Sequence, residues 1–294
     1  MALLGFIIGY PFLWLLSLLP FRALYVISDY FLYPIVYYLA GYRKKVVYDN
    51  LRNSFPQKSD QEIDTIAKKF YHHFCDIIIE TIKLINISEK DYKQRVKYRN
   101  PEVFFDLYDK GQNVIAAAAH YGNWEWLSGV TDSLQHRNMS LYKPLSNKYF
   151  EKVITRIRTR FGAELVPMEN VTRKMLAYRR DGILTASCFI IDQTPIRSHI
   201  HYWTKFLNQD TPVFLGVEKL ARSLKQAVVY MKMIPIKRGY YEYEVVLLFE
   251  DVSKVKDYEI TEAHVRELEK QIIEHPEYWL WTHRRWKHKK PADA

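Results

Sequence analysis

The apolar positions of this chain change their period along its length. Residues 2–21 carry no charge, and as one helix they would cover about the 30 Å of a bilayer core. Residues 23–42 remain apolar, but Asp29 interrupts them, and Tyr25, Tyr30, Tyr33, Tyr37 and Tyr38 bring hydroxyl tips that seek water. They read as a partly inserted interfacial helix, with a buried helix of the following domain as the plain alternative. Ser59-Asp60-Gln61-Glu62 is a capping-box pattern. Ile63, Ile66, Phe70, Phe74, Ile77 and Ile78 then keep helical spacing, which predicts a helix to about Ile85 with its stripe in the core. From residue 100 the period switches repeatedly. Apolar runs predict strands over 113–119, 139–143, 163–167, 182–188, 226–234 and 242–249, alternating with helices over 123–134, 147–161, 170–180, 212–224 and 260–274. Gly239 before Tyr240 marks a hairpin back to 226–234. This alternation predicts an α/β fold with a mixed, largely parallel sheet flanked by helices. No repeat or long linker divides it, so the expected organisation is an anchor and interfacial helix over 1–42 and one domain over 43–294.

Composition narrows the setting. Hydrophobic residues make up 48% of the chain, yet mean hydropathy is only -0.27, which excludes a polytopic membrane protein. The net charge is +10 and the pI about 9.3, which favours anionic partners. No Lys or Arg precedes the N-terminal run and no small-residue cleavage site follows it, so a retained anchor fits better than a signal peptide. Arg22, Arg43, Lys44, Lys45 and Arg52 lie after the run, which by the positive-inside rule places the remainder on the cytoplasmic side. Arg284-Arg285-Trp286-Lys287-His288-Lys289-Lys290 is strongly basic. It reads as a basic-aromatic strip against anionic lipid rather than a nucleic-acid patch, because the N-terminus is uncharged and aromatic; a solvated chain end is the plain account. Cys75 and Cys188 form neither a disulfide framework nor a metal spacing and read as buried thiols.

The chemistry-bearing stretch is His120-Tyr121-Gly122-Asn123-Trp124-Glu125, directly after the apolar run Val114–Ala119. Residues five apart on one helix lie roughly 140° from each other, so His120 and Glu125 meet only if a turn separates them. With His120 at a strand end, Glu125 would accept from one ring nitrogen and leave the other free as a base. Gly122 permits close backbone approach, and N–H groups near Gly122-Asn123 would receive an oxyanion. From one His and one Glu alone, a buried histidine bonded for packing is the stronger account. Arg156 and Arg158 share a predicted helix with Lys152 and Arg160, as a solvated basic face or as an anion clamp, and Lys143 and Asn147 would serve the same anionic site. Asp192-Gln193 ends a predicted strand, as a turn or as a polar pair in a crevice. There is no phosphate loop, dinucleotide fingerprint, Gly-x-Ser-x-Gly elbow or zinc spacing, and no serine or cysteine nucleophile beside His120. Direct attack by an acceptor hydroxyl, deprotonated by such a base, needs no covalent intermediate on the protein and no metal.

His120-x4-Glu125 resembles the His-x4-Asp/Glu motif of glycerolipid-type acyltransferases, and the wider context resembles the late acyltransferases of bacterial lipid A biosynthesis. Leu141-Tyr142-Lys143-Pro144-Leu145 with Asn147 resembles that family's YRP-N segment, and Arg156-Ile157-Arg158 its R-x-R pair. Asp192-Gln193 resembles its DQ pair, and Trp281 to Lys287 its W-x-HRR-[FW]-K. The motifs stand in family order from about residue 40 to residue 288. Phe206-Leu207-Asn208 departs from the usual Phe-Phe-Gly, Lys143 replaces an Arg, and His199-Ile200-His201-Tyr202 is unusually rich in histidine. These departures bear on the acyl-chain pocket and the acceptor. The resemblance implies a glycerolipid acyltransferase-like fold in an inner-membrane O-acyltransferase whose catalytic domain faces the cytoplasm. A fatty acyl group would pass from acyl carrier protein or acyl-CoA to a hydroxyl of a lipid A precursor, without a cofactor. His120 would be the base, Glu125 its orienter, and Arg158 ahead of Arg156 the oxyanion partner. Gly122, Asn123, Lys143, Asn147, Asp192 and Gln193 would bind substrate. Two other readings are a phospholipid or aminolipid acceptor for the same chemistry, and a non-catalytic lipid-binding protein at the inner membrane.

Overall fold

The computed structural model describes residues 2–127 and 134–291. Its first helix, α1 (Ala2–Leu18), stops before Pro20, which precedes α2 (Phe21–Ile27). A residue before proline is pushed out of helical backbone, so the expected continuous helix to Phe21 breaks here. Seventeen residues rise about 25 Å. Among the described residues no single helix is long and apolar enough to cross a membrane; a pair bent by 83°, Phe21–Leu39 with Lys44–Ser54, passes by length and composition. One side of α1 exposes Ile7, Ile8, Phe12, Trp14, Leu15 and Leu18. Its end is held by Lys83, whose Nζ donates to the carbonyls of Ser17 and Leu19 at 2.9 and 2.8 Å.

Beyond α2 the chain continues in wider π turns over Ser28–Leu32 and Pro34–Leu39, where Pro34 has no N–H to offer a tighter ladder. This stretch is two-faced. Leu24, Ser28, Tyr33 and Tyr37 are buried, while Val26, Tyr30, Phe31, Ile35, Tyr38 and Leu39 are exposed. The helix α3 (Lys44–Ser54) follows. Then comes α4 (Asp60–Lys83), started by the Ser59–Glu62 capping box, whose inner stripe includes Ile63, Phe70, Cys75 and Ile79.

The remaining elements are α5 (Glu89–Arg95), β1 (Val96–Tyr98), α6 (Glu102–Asp109), β2 (Val114–Ala118), β3 (Arg137–Tyr142), α7 (Lys148–Thr159), β4 (Glu164–Pro167), α8 (Val171–Arg180), β5 (Thr185–Ile190), β6 (Trp203–Phe206), β7 (Gln209–Pro212), α9 (Gly216–Leu224), β8 (Ala227–Lys237), β9 (Tyr240–Phe249) and α10 (Glu259–Glu274). Among the described residues seven strands form one sheet in the order β1-β9-β8-β2-β5-β3-β4. Every pairing is parallel except the β8–β9 hairpin. The fold is thus mixed α/β, with a largely parallel sheet flanked by helices. All five positions of β2 are buried, as a central strand covered on both faces requires. β6 and β7 form a separate hairpin. Its two turn residues, Leu207 and Asn208, both have positive φ (49° and 63°), the backbone a two-residue hairpin turn demands. Of the helix predicted over 123–134, Trp124–Leu127 form one 3-10 turn, and residues 128–133 lie outside the described residues.

Candidate active site

The parallel register of β2 and β5 builds the site. Ala118 pairs with Ile190, and the Ile191 amide donates to the Ala118 carbonyl at 2.9 Å. Two residues beyond each strand end, His120 and Asp192 emerge side by side. The chain leaving β2 runs to β3 on one side, and the chain leaving β5 runs by way of the β6–β7 hairpin to β8 on the other. Ligands of open α/β sheets gather at such a reversal, outside the carboxyl ends of the strands.

Asp192 faces the histidine twice. Its Oδ1 lies 2.7 Å from His120 Nδ1, and its Oδ2 accepts from the His120 backbone N–H at 3.1 Å. The same Oδ2 accepts from the Trp279 indole N–H at 2.8 Å. Burial pushes the Asp192 carboxyl up, but the His120 ring, Trp279 and the His120 amide outweigh it and hold the group below the usual carboxylate range. An ionised carboxylate only accepts, so Nδ1 carries a proton, and Nε2 is the nitrogen that can accept when the ring is neutral. The Gln193 side-chain nitrogen lies 3.2 Å from that Nε2, and the Trp124 ring stands edge-on to the imidazole at 5.1 Å. The C-terminal segment closes the back of the site. Gly122 N–H donates to the Tyr278 carbonyl and Leu280 N–H to the His120 carbonyl, at 2.9 and 3.1 Å. His283 Nε2 accepts from the Thr194 backbone N–H at 3.1 Å, and burial pushes this histidine down to about 4, in keeping with a neutral acceptor.

In front of the histidine lies a cleft of about 300 Å³. His120, Glu125, Lys143, Arg158 and Gln193, with Ser140 and Tyr142, supply its polar lining, and Leu127, Leu141, Leu165, Phe189 and Ile190 much of its apolar wall. A smaller apolar cavity of about 30 Å³, reaching Tyr98, Phe104 and Met231, shares Leu127, Ser140 and Cys188 with the cleft.

Several sequence expectations are relocated. Glu125 is not the group on His120 Nδ1; Asp192 holds that place. Glu125 is gripped by Arg158, whose Nε and Nη2 reach its two oxygens at 2.8–3.0 Å. The 3-10 turn after Asn123 carries the carboxylate to the α7 side of the cleft, while strand register brings Asp192 to the imidazole. The N–H groups of Gly122 and Asn123 are also spent. The first bonds to Tyr278, and the second points at the Met233 sulfur at 2.9 Å with Asn123 wholly buried. Asn147 caps α7, accepting from the Tyr149 and Phe150 amides, and does not line the cleft. Arg156 is exposed on α7, whereas Arg158 and Lys143 line the cleft. Arg285, counted with the basic tail, is 2% exposed and donates to the Pro212 carbonyl at 2.7 Å. Two residues the sequence reading missed also hold this region: Trp279 donates to Asp192, and the buried Glu80 of α4 accepts from Asn123 Nδ2 at 2.6 Å; an indole near the end of the chain looks like packing, while a glutamate directly after Ile77-Ile78-Ile79 was the one available signal.

The chain matches the family model described as bacterial lipid A biosynthesis acyltransferase over residues 2–288. It is 24% identical over 257 residues to a lipid A biosynthesis palmitoleoyltransferase of Escherichia coli (strain K12), covering 83% of this chain and 79% of that protein. It is 22% identical over 286 residues to a lipid A biosynthesis acyltransferase of Haemophilus influenzae, covering 94% and 86%. A match that runs nearly end to end and takes in the histidine, both carboxylates and the guanidinium of the cleft places this chain in the bacterial lipid A biosynthesis acyltransferase family.

Proposed function

We propose that this acyltransferase moves a fatty acyl group from an acyl thioester, on acyl carrier protein or CoA, to a hydroxyl of a lipid A precursor, with His120 as general base. The observation that carries the reading is the His120–Asp192 pair, 2.7 Å apart and opening on the cleft. The acceptor hydroxyl takes the place of the Gln193 amide at Nε2. Nε2 removes its proton as the oxygen forms a bond to the thioester carbonyl carbon. The carbon–sulfur bond then breaks, and the imidazolium returns the proton to the leaving sulfur. The Asp192 carboxylate stabilises the imidazolium between these steps. Arg158, held as a planar fork by Glu125, and Lys143 face the negative charge that develops on the carbonyl oxygen. The acyl chain lies along the apolar wall and reaches towards the smaller cavity through Leu127, Ser140 and Cys188.

The enzyme works at a membrane. The exposed apolar faces of α1 and of residues 26–39 meet the bilayer. Beside them, Arg43, Lys44, Lys45, Arg284, Lys287 and Lys290 line an open groove of about 1080 Å³. Each such cation near an anionic surface contributes on the order of 1 kcal/mol. The uncharged N-terminal run followed by cations favours the inner membrane with the domain on its cytoplasmic side.

The test is transfer by purified protein from a defined acyl thioester to a lipid A precursor, read by mass spectrometry. His120→Ala should abolish product while leaving vesicle association intact. Failure of the wild type with every thioester, alongside intact lipid binding, would favour a lipid-binding role instead.

A further inference from the structure

Glu80 lies on α4, is fully buried, and takes no part in the proton transfers described above. Its two oxygens collect three donors from three parts of the chain. Oε1 accepts from the Tyr25 hydroxyl of α2 at 2.8 Å. Oε2 accepts from Asn123 Nδ2 at 2.6 Å and from the Tyr241 hydroxyl of β9 at 2.7 Å. Burial pushes the Glu80 carboxyl up to about 7 against the pull of these donors.

Asn123 is three residues past His120, and among the described residues its side-chain amide bonds to Glu80 alone; its Oδ1 is buried without a partner. Its turn is pinned on other sides as well. A Cβ on Gly122 would sit 2.2 Å from the Met233 sulfur, and Tyr121 bridges Trp279, whose indole holds Asp192. Displacing Asn123 therefore disturbs both partners of the proton-transfer pair.

Tyr25 is equally fixed. Its hydroxyl would lie 2.0 Å from a Cβ on Gly239, and the Arg238 guanidinium stacks 4.3 Å from its ring. Arg238 itself ties Asp29 of the N-terminal segment to Asp76 of α4, at 2.7 Å to each. Removing α2 from the domain would strip a donor from Glu80 and leave a buried carboxyl group short of a partner.

We propose that Glu80 is a positioning residue for acyl transfer, holding the turn behind His120 and making that turn answer to the seating of the N-terminal segment through Tyr25. The inference rests on reading His120 as the base. Glu80→Gln turns a donor towards donors at nearly constant shape, and Tyr25→Phe removes one hydroxyl far from the cleft in sequence. Both are assayed in the full chain well below their unfolding midpoints. We expect kcat to fall about tenfold or more in Glu80→Gln and about threefold in Tyr25→Phe, with KM for the donor thioester within about twofold, because no substrate contact is removed. The double variant should be little worse than Glu80→Gln, since one network carries both effects. Hydrogen exchange over residues 119–127 should quicken in both variants, although neither substitution lies there.

A merely structural role would lower the unfolding midpoint and leave kcat and local exchange at wild-type values; that result overturns the proposal, as do additive kcat losses. The exchange measurement needs no substrate. It therefore decides the coupling even where wild-type protein transfers no acyl group, an outcome that would sink the transferase reading separately.

Discussion

Asp192→Asn separates the pairing seen in the structure from the pairing suggested by the His-x4-Glu spacing. The substitution keeps shape and volume but replaces one oxygen with a donor. Placing the new amide nitrogen at Oδ2 would oppose two donors, the His120 amide and the Trp279 indole. Placing it at Oδ1 opposes one, His120 Nδ1, so this orientation is favoured by about one hydrogen bond, roughly 1 kcal/mol. In it the amide donates to Nδ1, the ring proton moves to Nε2, and the nitrogen facing the cleft cannot accept. The carboxylate charge beside the imidazolium is lost as well. At about 4 Å and an effective dielectric of 20 that attraction is about 4 kcal/mol, which corresponds to roughly a thousandfold in rate. The assay is single-turnover acyl transfer read by mass spectrometry, with vesicle binding as the control for folding. Asp192→Asn should lose about three orders of magnitude in the transfer rate and keep lipid binding. A rate within tenfold of wild type, together with an inactive Glu125→Gln, would refute the assignment and return the orienting role to Glu125.

Arg158→Lys should lower kcat about 10- to 100-fold, because a point charge cannot reproduce the fork held by Glu125, while Arg156→Ala, on an exposed position, should stay within about twofold; equal losses in steady-state transfer would contradict this. Gly122→Ala should cost at least about 2 kcal/mol, because φ is +57° and the added carbon meets the Met233 sulfur at 2.2 Å; an unchanged urea midpoint would be the contrary result. Acid should destabilise the fold: burial pushes His73 down to about 4 and His264 to about 3. Their folded values lie below the unfolded one, so the stabilisation they supply, roughly 3 kcal/mol for His73 and roughly 5 for His264 when complete, is present above pH 6.5 and lost as pH falls through the folded values. Glu80, pushed up to about 7, acts in the opposite sense between its unfolded value and 7, so the loss should steepen below about pH 4.5; urea unfolding that is flat from pH 6.5 to 4 would disprove it. Cys188→Leu narrows the passage between cleft and inner cavity and should shift the preferred acyl donor towards shorter chains, read by competition between thioesters of different length, whereas an unchanged preference would place the chain elsewhere.

Elements that bury one clean stripe were legible before any coordinates. The capping box and the Ile63–Ile78 spacing gave α4, and the six predicted strands all lie in the main sheet: β2 is apolar throughout because every position is buried, whereas β9 alternates because one face is covered more than the other. Short or polar elements escaped. β1 has three residues and β6 and β7 four each, interrupted by Lys97, Lys205 and Asp210, so they lack the apolar core that marked the equally short β4, and they exist because partners supply their hydrogen bonds. The break of the N-terminal run at Pro20 was written in the sequence and outweighed by the uniform hydropathy on either side of it.

The sequence by itself determined the reaction class and the charged, imidazole and amide side chains that line the cleft, since His120, Glu125, Lys143, Arg158 and Gln193 announce their chemistry through residue type and motif order. Only the tertiary structure decided who pairs with whom. Local spacing favoured Glu125 for His120, but the parallel register of β2 and β5 brings in Asp192, 72 residues away, and frees Glu125 to hold Arg158. Linear separation carries no information about lateral strand order, and that order follows from which buried faces pack together. Glu80, Asn123 and Tyr25 likewise become one network only when α2, α4 and the loop after β2 close on the same desolvated space, where a carboxylate has to be met by donors from wherever the fold can supply them.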